Sequence, residues 1–445
     1  MRNPTLHELL HAFTNDAAMR LSLATADGDE IPFEVVESEP ARIRARDRGR
    51  VPLYCYRPLT GAFIRSHLGL LVGLPTYAPA ARALESCAGL SAYLRARAEA
   101  RVPDGSRERA DAALRCFLAR VFAERSEFGF DDERFKRAYE ELERSLYDGC
   151  SFVEVVAELR GIVLDADTQE LTLAEGLSLA RPESLTDPPP ETEWDRAGAH
   201  EREPGPLVLL VQRTAAEAAE AAEEQDLAPV RRARGRFRRV VTALRLFDRG
   251  ACAIGHVGFT RVDGGPWAPV AIGAGGRSAP PIRIDAGSED ELRAFFNLIS
   301  RRLPPPAPDD SGAGEVPWAL GRYELGCERQ RALEALSDHL LALRALLEPE
   351  GPASGRLAQR LAVICAPVGE RAALAERTAH AIALERAVIA GLAPAAAPAT
   401  ALVEELSEHL RAILRDVLCG HLDDGLCHLA DELLAAAGAS VPASV

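Results

Sequence analysis

The chain has 445 residues, room for two or three ordinary domains, and 47% of them are hydrophobic, enough for a sizeable core. A formal net charge of -15 argues against a protein that coats nucleic acid over its whole surface, while leaving room for a local basic site. No run of about eighteen uncharged apolar residues occurs, which argues against a membrane span, and MRNPTLHELLHAF is too polar for the apolar part of a signal peptide.

Residues 4–18 read as a short helix. In RLSLATADGDEIPFEVV, Asp27-Gly28 lies between two alternating apolar runs, a hairpin signal, with Pro32 at an edge position. From about residue 58 to 148 the period becomes helical, as in CFLARVF and FKRAYEELERSLY. LYCYRPLT holds Tyr54, Tyr56 and Arg57, either a buried tyrosine cluster or a partner surface. Residues 151–182 alternate and read as strands, 183–206 as a Pro-rich charged loop, and PLVLLVQRT as another strand. An Ala/Glu helix or solvated turn is expected at 214–225 and a helix at 228–247. AIGHVGFTRV and PWAPVAIG read as strands, and EDELRAFFNLISRRL as a helix. Residues 303–317 are a linker. Beyond Trp318 only helix is expected: 318–348, 354–365, 369–391 and 400–437, the last with a break at Gly420 or Gly425.

These elements give an α+β multidomain fold. A mainly helical N-terminal domain with a small β element occupies 1–150 and a mixed domain 151–302. A helical bundle follows the linker at 318–440. Nine scattered cysteines with no C-x-x-C suit reduced thiols and a cytoplasmic location. Lys136 is the only lysine, a skew towards arginine typical of a GC-rich bacterial genome.

ALGRYELGCERQRALEALSDHLLALRALLEPEG, then RLAQRLAVI and AERTAHAIALERAVIAG, follow the order of the C-terminal bundle in ApeA-type HEPN proteins of bacteria. LTLAEGLSLARPESL and VTALRLFDRGACAIGHVGF resemble the region before that bundle. The resemblance covers about 150–437 and rests on order and spacing. It implies a HEPN-like bundle, a homodimer and no cofactor or metal. In the family, an arginine and a histidine near a helix end cleave RNA. The histidine moves the proton of the ribose 2′-hydroxyl, and the arginine stabilises charge on the phosphorane. Aligned on Gly391, the histidine falls here on Ala390, and the arginine on Glu385, or on Arg386 with one gap. The acid of the first long helix falls on Arg344. Acid and arginine have exchanged places, so an Arg344–Glu385 pair between packed helices would account for both changes, and solvated surface charges are the plainer alternative.

Arg415 and His421 have the family's spacing, but so do Arg2 with His7 and Arg249 with His256, as many matches as chance gives this composition. Cys419, His421, Asp423, Asp424, Cys427 and His428 are the densest set of metal-capable residues. Cys419 and Cys427 lie two helical turns apart, so buried thiols beside exposed polar groups explain them without an ion. VRRARGRFRRVV places Arg231, Arg232, Arg234, Arg236, Arg238 and Arg239 around Phe237. These are forks for phosphates with a ring to stack a base, or a charged face balanced by the acids at 217–225. From Glu315 on, 11 Arg face 18 Asp/Glu, so an extended phosphate track is not expected there. No DNA-specific signal occurs. VDGGPW and IGAGGRS read as turns, and His67 and His256 as isolated structural or surface residues.

The expectation is a non-catalytic HEPN-like protein acting by dimerisation and by binding RNA or protein, in phage defence or stress response. The alternatives are a metal-independent endoribonuclease using Arg415 and His421, and an interaction scaffold without nucleic-acid contact.

Overall fold

The structure is a computed structural model and describes residues 2–37, 54–97, 102–123, 125–189, 207–217, 228–249, 252–273, 281–303, 314–392, 396–423 and 425–439. Within them, helical N- and C-terminal regions flank a mixed α+β middle region.

Asn3 starts the first helix, α1 (Pro4–Ala26), by accepting the Leu6 N–H, with Pro4 at the position where a missing N–H costs nothing. This helix overrides the expected hairpin at Asp27-Gly28. Ala17, Ala18, Leu21 and Ala24 continue its buried stripe, so tertiary burial decides against the alternating reading. Gly28, at φ +106°, is the residue after the helix end, and the Asp29 N–H reaches back to the Ala24 carbonyl. The hairpin's strands lie further on, β1 (Phe33–Glu37) and β2 (Tyr54–Pro58), paired antiparallel. Six helices follow: α2 (Thr60–Ser66), α3 (Leu68–Val72), α4 (Tyr77–Glu85), α5 (Leu90–Ala96), α6 (Ser106–Val121) and α7 (Asp132–Tyr147). They close a separate core with α1 around Phe13, Phe63, Tyr93, Phe117 and Phe135.

The middle region opens with β3 (Cys150–Arg160), β4 (Ile162–Leu164), β5 (Glu170–Ala174), β6 (Leu177–Ala180) and β7 (Val208–Glu217). It continues through α8 (Ala228–Phe247), β8 (Ala253–Val262), β9 (Ala268–Ala271), β10 (Ile282–Ile284) and α9 (Glu289–Arg302). Six strands form one antiparallel sheet in the order β5-β6-β7-β3-β8-β9, and β10 pairs parallel with β4. On one face Val153, Val155, Ala157 and Leu159 pack under α8 and α9. The other face carries a charge ladder across four strands. Arg213 donates to Glu170 at 2.6 Å and to Glu154 at 3.0 Å, and Arg261 donates to Glu154 at 2.6 Å and lies over the Trp267 ring. Covering both faces explains why the middle of β3 is nearly all buried. The strand β7 occupies 214–217, where the Ala/Glu helix was expected, and 218–227 lies outside the described residues. So do most of the charged loop (190–206) and most of the linker (304–313).

The turn between β8 and β9 ties this sheet to the N-terminal helices. Asp263 and Gly264 both have positive φ, the conformation of a tight hairpin turn. The Asp263 carboxylate accepts the Phe152 N–H at 2.7 Å and the Ser145 hydroxyl at 3.4 Å. A Cβ on Gly264 would lie 2.1 Å from the Arg120 guanidinium. Arg120 and the buried Arg97 both donate to Glu141. Burial pushes the Glu141 carboxyl up, but the Arg120 and Arg97 contacts outweigh it and hold the group below its ordinary range.

The C-terminal region has six helices among the described residues: α10 (Glu315–Glu328), α11 (Ala332–Leu347), α12 (Leu357–Cys365), α13 (Arg371–Ile389), α14 (Ala396–Cys419) and α15 (Leu426–Ala439). The single helix expected at 318–348 is two, because Arg329 and Arg331 are extended. The resulting hairpin brings Gly326 so close to His339 that a Cβ would lie 2.3 Å from the ring. The expected 400–437 helix is interrupted between Cys419 and Leu426. One apolar core runs from the sheet through α8 and α9 into this bundle, joining the two regions that the linker separates in sequence.

Candidate functional site

Arg344 lies in the last turn of α11 and Glu385 in the last turns of α13. The Arg344 guanidinium donates to both Glu385 oxygens, at 2.8 and 3.5 Å, so these two residues form a pair. It is well shielded, with side chains 17% and 7% exposed. On its other side Arg344 lies 3.9 Å from Glu348, whose carboxylate is 2% exposed. Glu348 in turn accepts the Ser354 hydroxyl and the Arg356 and Leu357 N–H groups, capping the start of α12. Opposite charges and hydrogen bonds therefore close this part of the bundle on itself. Arg386 and Ala390 are exposed, and Gly391 ends α13 at φ +78°. Ala390 offers nothing to move a proton.

A second network ties the bundle together and escaped sequence reading. Arg360, 1% exposed, donates to Glu350, Asp431 and the Leu347 carbonyl. Hydrogen bonds from Arg360 hold the Glu350 carboxyl down at about 2. An arginine inside an apolar helical pattern gives no sequence sign of whether it points to water or to acids on neighbouring segments.

The structure directs Arg415 and His421 to different partners. Arg415 donates to the Phe247 carbonyl at the end of α8 (3.0 Å) and lies 5.6 Å from the Phe295 ring centre, bracing α14 on the middle region. His421 is 74% exposed beside Asp416. Of the other spaced pairs, Arg2 contacts Asp148 while His7 packs on Phe135 and Tyr139, and Arg249 contacts Glu408. Around the metal-capable set, His428 faces Glu432, Asp424 lies outside the described residues, and among the described residues no three His, Cys, Asp or Glu side chains converge. Burial pushes the Cys419 and Cys427 thiols up, as for packed cysteines. His67 bonds Asp29 and the Phe63 carbonyl, a structural role. The side chains of Tyr54, Tyr56 and Arg57 lie outside the described residues, as does part of IGAGGRS.

The arginine run, Arg231 to Arg239, spans the fourth to the twelfth of the 20 residues of α8. Val230, Ala233, Phe237 and Val240 face the sheet, while Arg231, Arg232 and Arg238 are exposed and Arg234, Arg236 and Arg239 half-buried. Arg239 reaches the Ser300 carbonyl in the last turn of α9 at 3.4 Å. Burial lowers Arg236 from its ordinary value against the pull of Glu175. Phe237 is fully buried, so the ring expected to stack a base belongs to the core. The acids at 218–225, expected to balance the run, lie outside the described residues. A second run, Arg42, Arg44, Arg46, Arg48 and Arg50, passed unnoticed in the sequence and also lies outside them.

Further along α8, Thr242 donates to Glu324 of α10, and burial pushes that carboxyl up. Tyr323 donates to the Arg245 carbonyl. A groove of about 380 Å³ runs along α1 between Met19, Leu23, Phe128 and Phe130 and has no titratable lining group. No helix among the described residues is long and apolar enough to cross a membrane. Compared with protein families, curated proteins and solved structures, the chain matches none.

Proposed function

We propose that this chain is a non-catalytic, HEPN-like RNA-binding protein that acts as a homodimer, in phage defence or stress response. The observation that carries the reading is the Arg344–Glu385 pair. Where the family resemblance puts an arginine facing RNA, this chain has a carboxylate neutralised from within, and where it puts the histidine there is Ala390. Binding is assigned to α8, whose arginines lie apart from the closed bundle site. Ile389 and Leu392, 74% and 67% exposed at the end of α13, are apolar surface that a second copy would cover.

The test is RNA cleavage and RNA binding by the purified protein in chelator, beside a His421→Ala variant, with molar mass from light scattering. Binding without cleavage by a dimer is the expected result. Cleavage lost in the variant would make the protein a ribonuclease with a relocated site. A protein that neither cleaves nor binds RNA would be a scaffold.

A further inference from the structure

The helix α1 is held by a histidine contact near each end, and the two contacts have opposite chemistry. His7 and His11 are one turn apart on α1, with ring centres 6.2 Å apart. His7 meets the rings of Phe135 (5.1 Å) and Tyr139 (4.8 Å) edge-on, and His11 those of Phe130 (4.9 Å) and Phe135 (5.0 Å). This contact seats the start of α1 on α7, where the Tyr139 hydroxyl also donates to the Asn3 carbonyl at 2.8 Å. A cation is disfavoured here. His7 lies in the first turn of α1, at the positive end of the helix dipole. Burial pushes its imidazole below the ordinary 6.5. His11 and the amino terminus push the same way, against Glu8 of its own helix and Glu143 of α7. Burial pushes the neighbouring Tyr139 phenol up, so that group stays neutral. His11 has the exposed Asp132 carboxylate of α7 at 3.2 Å.

At the other end, His67 stands between α2 and α3 and faces Asp29, which follows α1. Its Nδ1 lies 2.9 Å from the Phe63 carbonyl and its Nε2 3.0 Å from the Asp29 carboxylate. Both partners only accept, so both ring nitrogens must carry a hydrogen, as they do in the imidazolium alone. The Ser66 hydroxyl, 3.1 Å from Nδ1, donates to the same Phe63 carbonyl and leaves a lone pair towards the ring. Burial pushes His67 down, but the bonds to Asp29 and Phe63 outweigh it and raise the group above its ordinary 6.5. Among the described residues, Asp29 is the charged group that acts on it.

Between these contacts runs the groove of about 380 Å³, with Met19 and Leu23 of α1 on one side and Phe128 and Phe130 on the other. Its aromatic wall ends on the two histidine sites. Phe130 packs on His11, and Phe128 stacks at 5.3 Å on Phe63, which stacks at 4.1 Å on His67. The Ser22 hydroxyl ties α1 to the Phe128 carbonyl at 3.3 Å. From this arrangement we propose that α1 is an acid-driven hinge: protonation of His7 and His11 releases its first turns from α7 and opens the groove at Phe130, while His67 and Asp29 hold its far end. The contribution of neutral His7 is fully present above pH 6.5 and is lost as pH falls through its lowered value. That of His67 is fully present below pH 6.5 and is lost as pH rises through its raised value. Each unit by which His7 lies below its ordinary value weakens the closed arrangement about tenfold once the proton is bound.

The experiment is hydrogen exchange by mass spectrometry on the full-length protein at about pH 7.5 and about pH 5, with labelling times scaled for the intrinsic rate. An NMR titration of carbon-labelled histidines accompanies it, with His7→Gln to assign the His7 signal. At the lower pH, peptides from residues 4–15 and 128–131 should exchange at least about threefold faster, while those from 22–29 should not. In His7→Gln with His11→Gln this acid effect should vanish, because glutamine takes up no proton. Circular dichroism verifies that the variants fold, and the wild-type exchange pattern decides the matter if they do not. Asp29→Asn should lower the His67 pKa and let the end of α1 exchange faster as well. A His7 pKa at or above 6.5 would overturn the proposal. Equal exchange at the two pH values, or loosening of both ends of α1 together in the wild type, would do the same.

Discussion

Arginine does opposite things at the two ends of the shared core. In the bundle, Arg344 and Arg360 are shielded and face carboxylates. On α8, Arg231, Arg232 and Arg238 are exposed. A buried, neutralised guanidinium holds helices in register, and its loss leaves acids without partners. An exposed one adds little to stability. The Arg344–Glu385 pair thus holds the bundle, while the exposed arginines of α8 lie on a helix outside it.

The contrast breaks most sharply at Arg344. Arg344→Glu would set like charges among Glu348 and Glu385, and a loss of about 3–5 kcal/mol in urea unfolding is expected. Adding Glu385→Arg should recover part of it, with a coupling of about 1–3 kcal/mol in the double-mutant cycle. Additive effects would make the pair incidental. Arg360→Ala comes next, at about 2–3 kcal/mol, because the Leu347 carbonyl, Glu350 and Asp431 lose their shared donor.

Gly264→Ala tests the N-terminal junction, where charges are likewise sealed. Its positive φ and the approach of Arg120 predict a loss of about 1–3 kcal/mol, read as earlier release of the N-terminal helices in hydrogen exchange. A smaller effect depends on pH. The Glu350 carboxyl falls from its ordinary 4.5 to about 2 in the fold. Its contribution is therefore fully present above pH 4.5 and is lost as pH falls towards 2. Glu350→Gln should flatten the acid side of the melting-temperature profile in that window, and an unchanged profile would mean the contact with Arg360 adds nothing. The smallest effect is expected at α8. Arg231→Glu with Arg238→Glu should change stability by about 0.5 kcal/mol or less while weakening RNA binding. A large loss of stability would mean that these arginines are structural after all.

Most strands of the middle region, α8, α9 and the helical character of both ends follow from residue pattern alone, because period and turn chemistry are local properties, whereas β10 and the end of β7 do not. A contact between positions 344 and 385 was an expectation raised by the order and spacing of the helices, and Arg344 and Glu385 do meet. Tertiary structure decided the rest. It extended α1 through Ala26 because a neighbouring core rewarded burial of Leu21 and Ala24, and it split 318–348 so that α10 could fold back on His339. It took Phe237 from the base-stacking role and put it in the core, directed Arg415 to Phe247 and away from His421, and joined α8 to α9 through Arg239. Which way a long side chain points, and what charge waits there, depends on residues far away in sequence, and no local pattern records it.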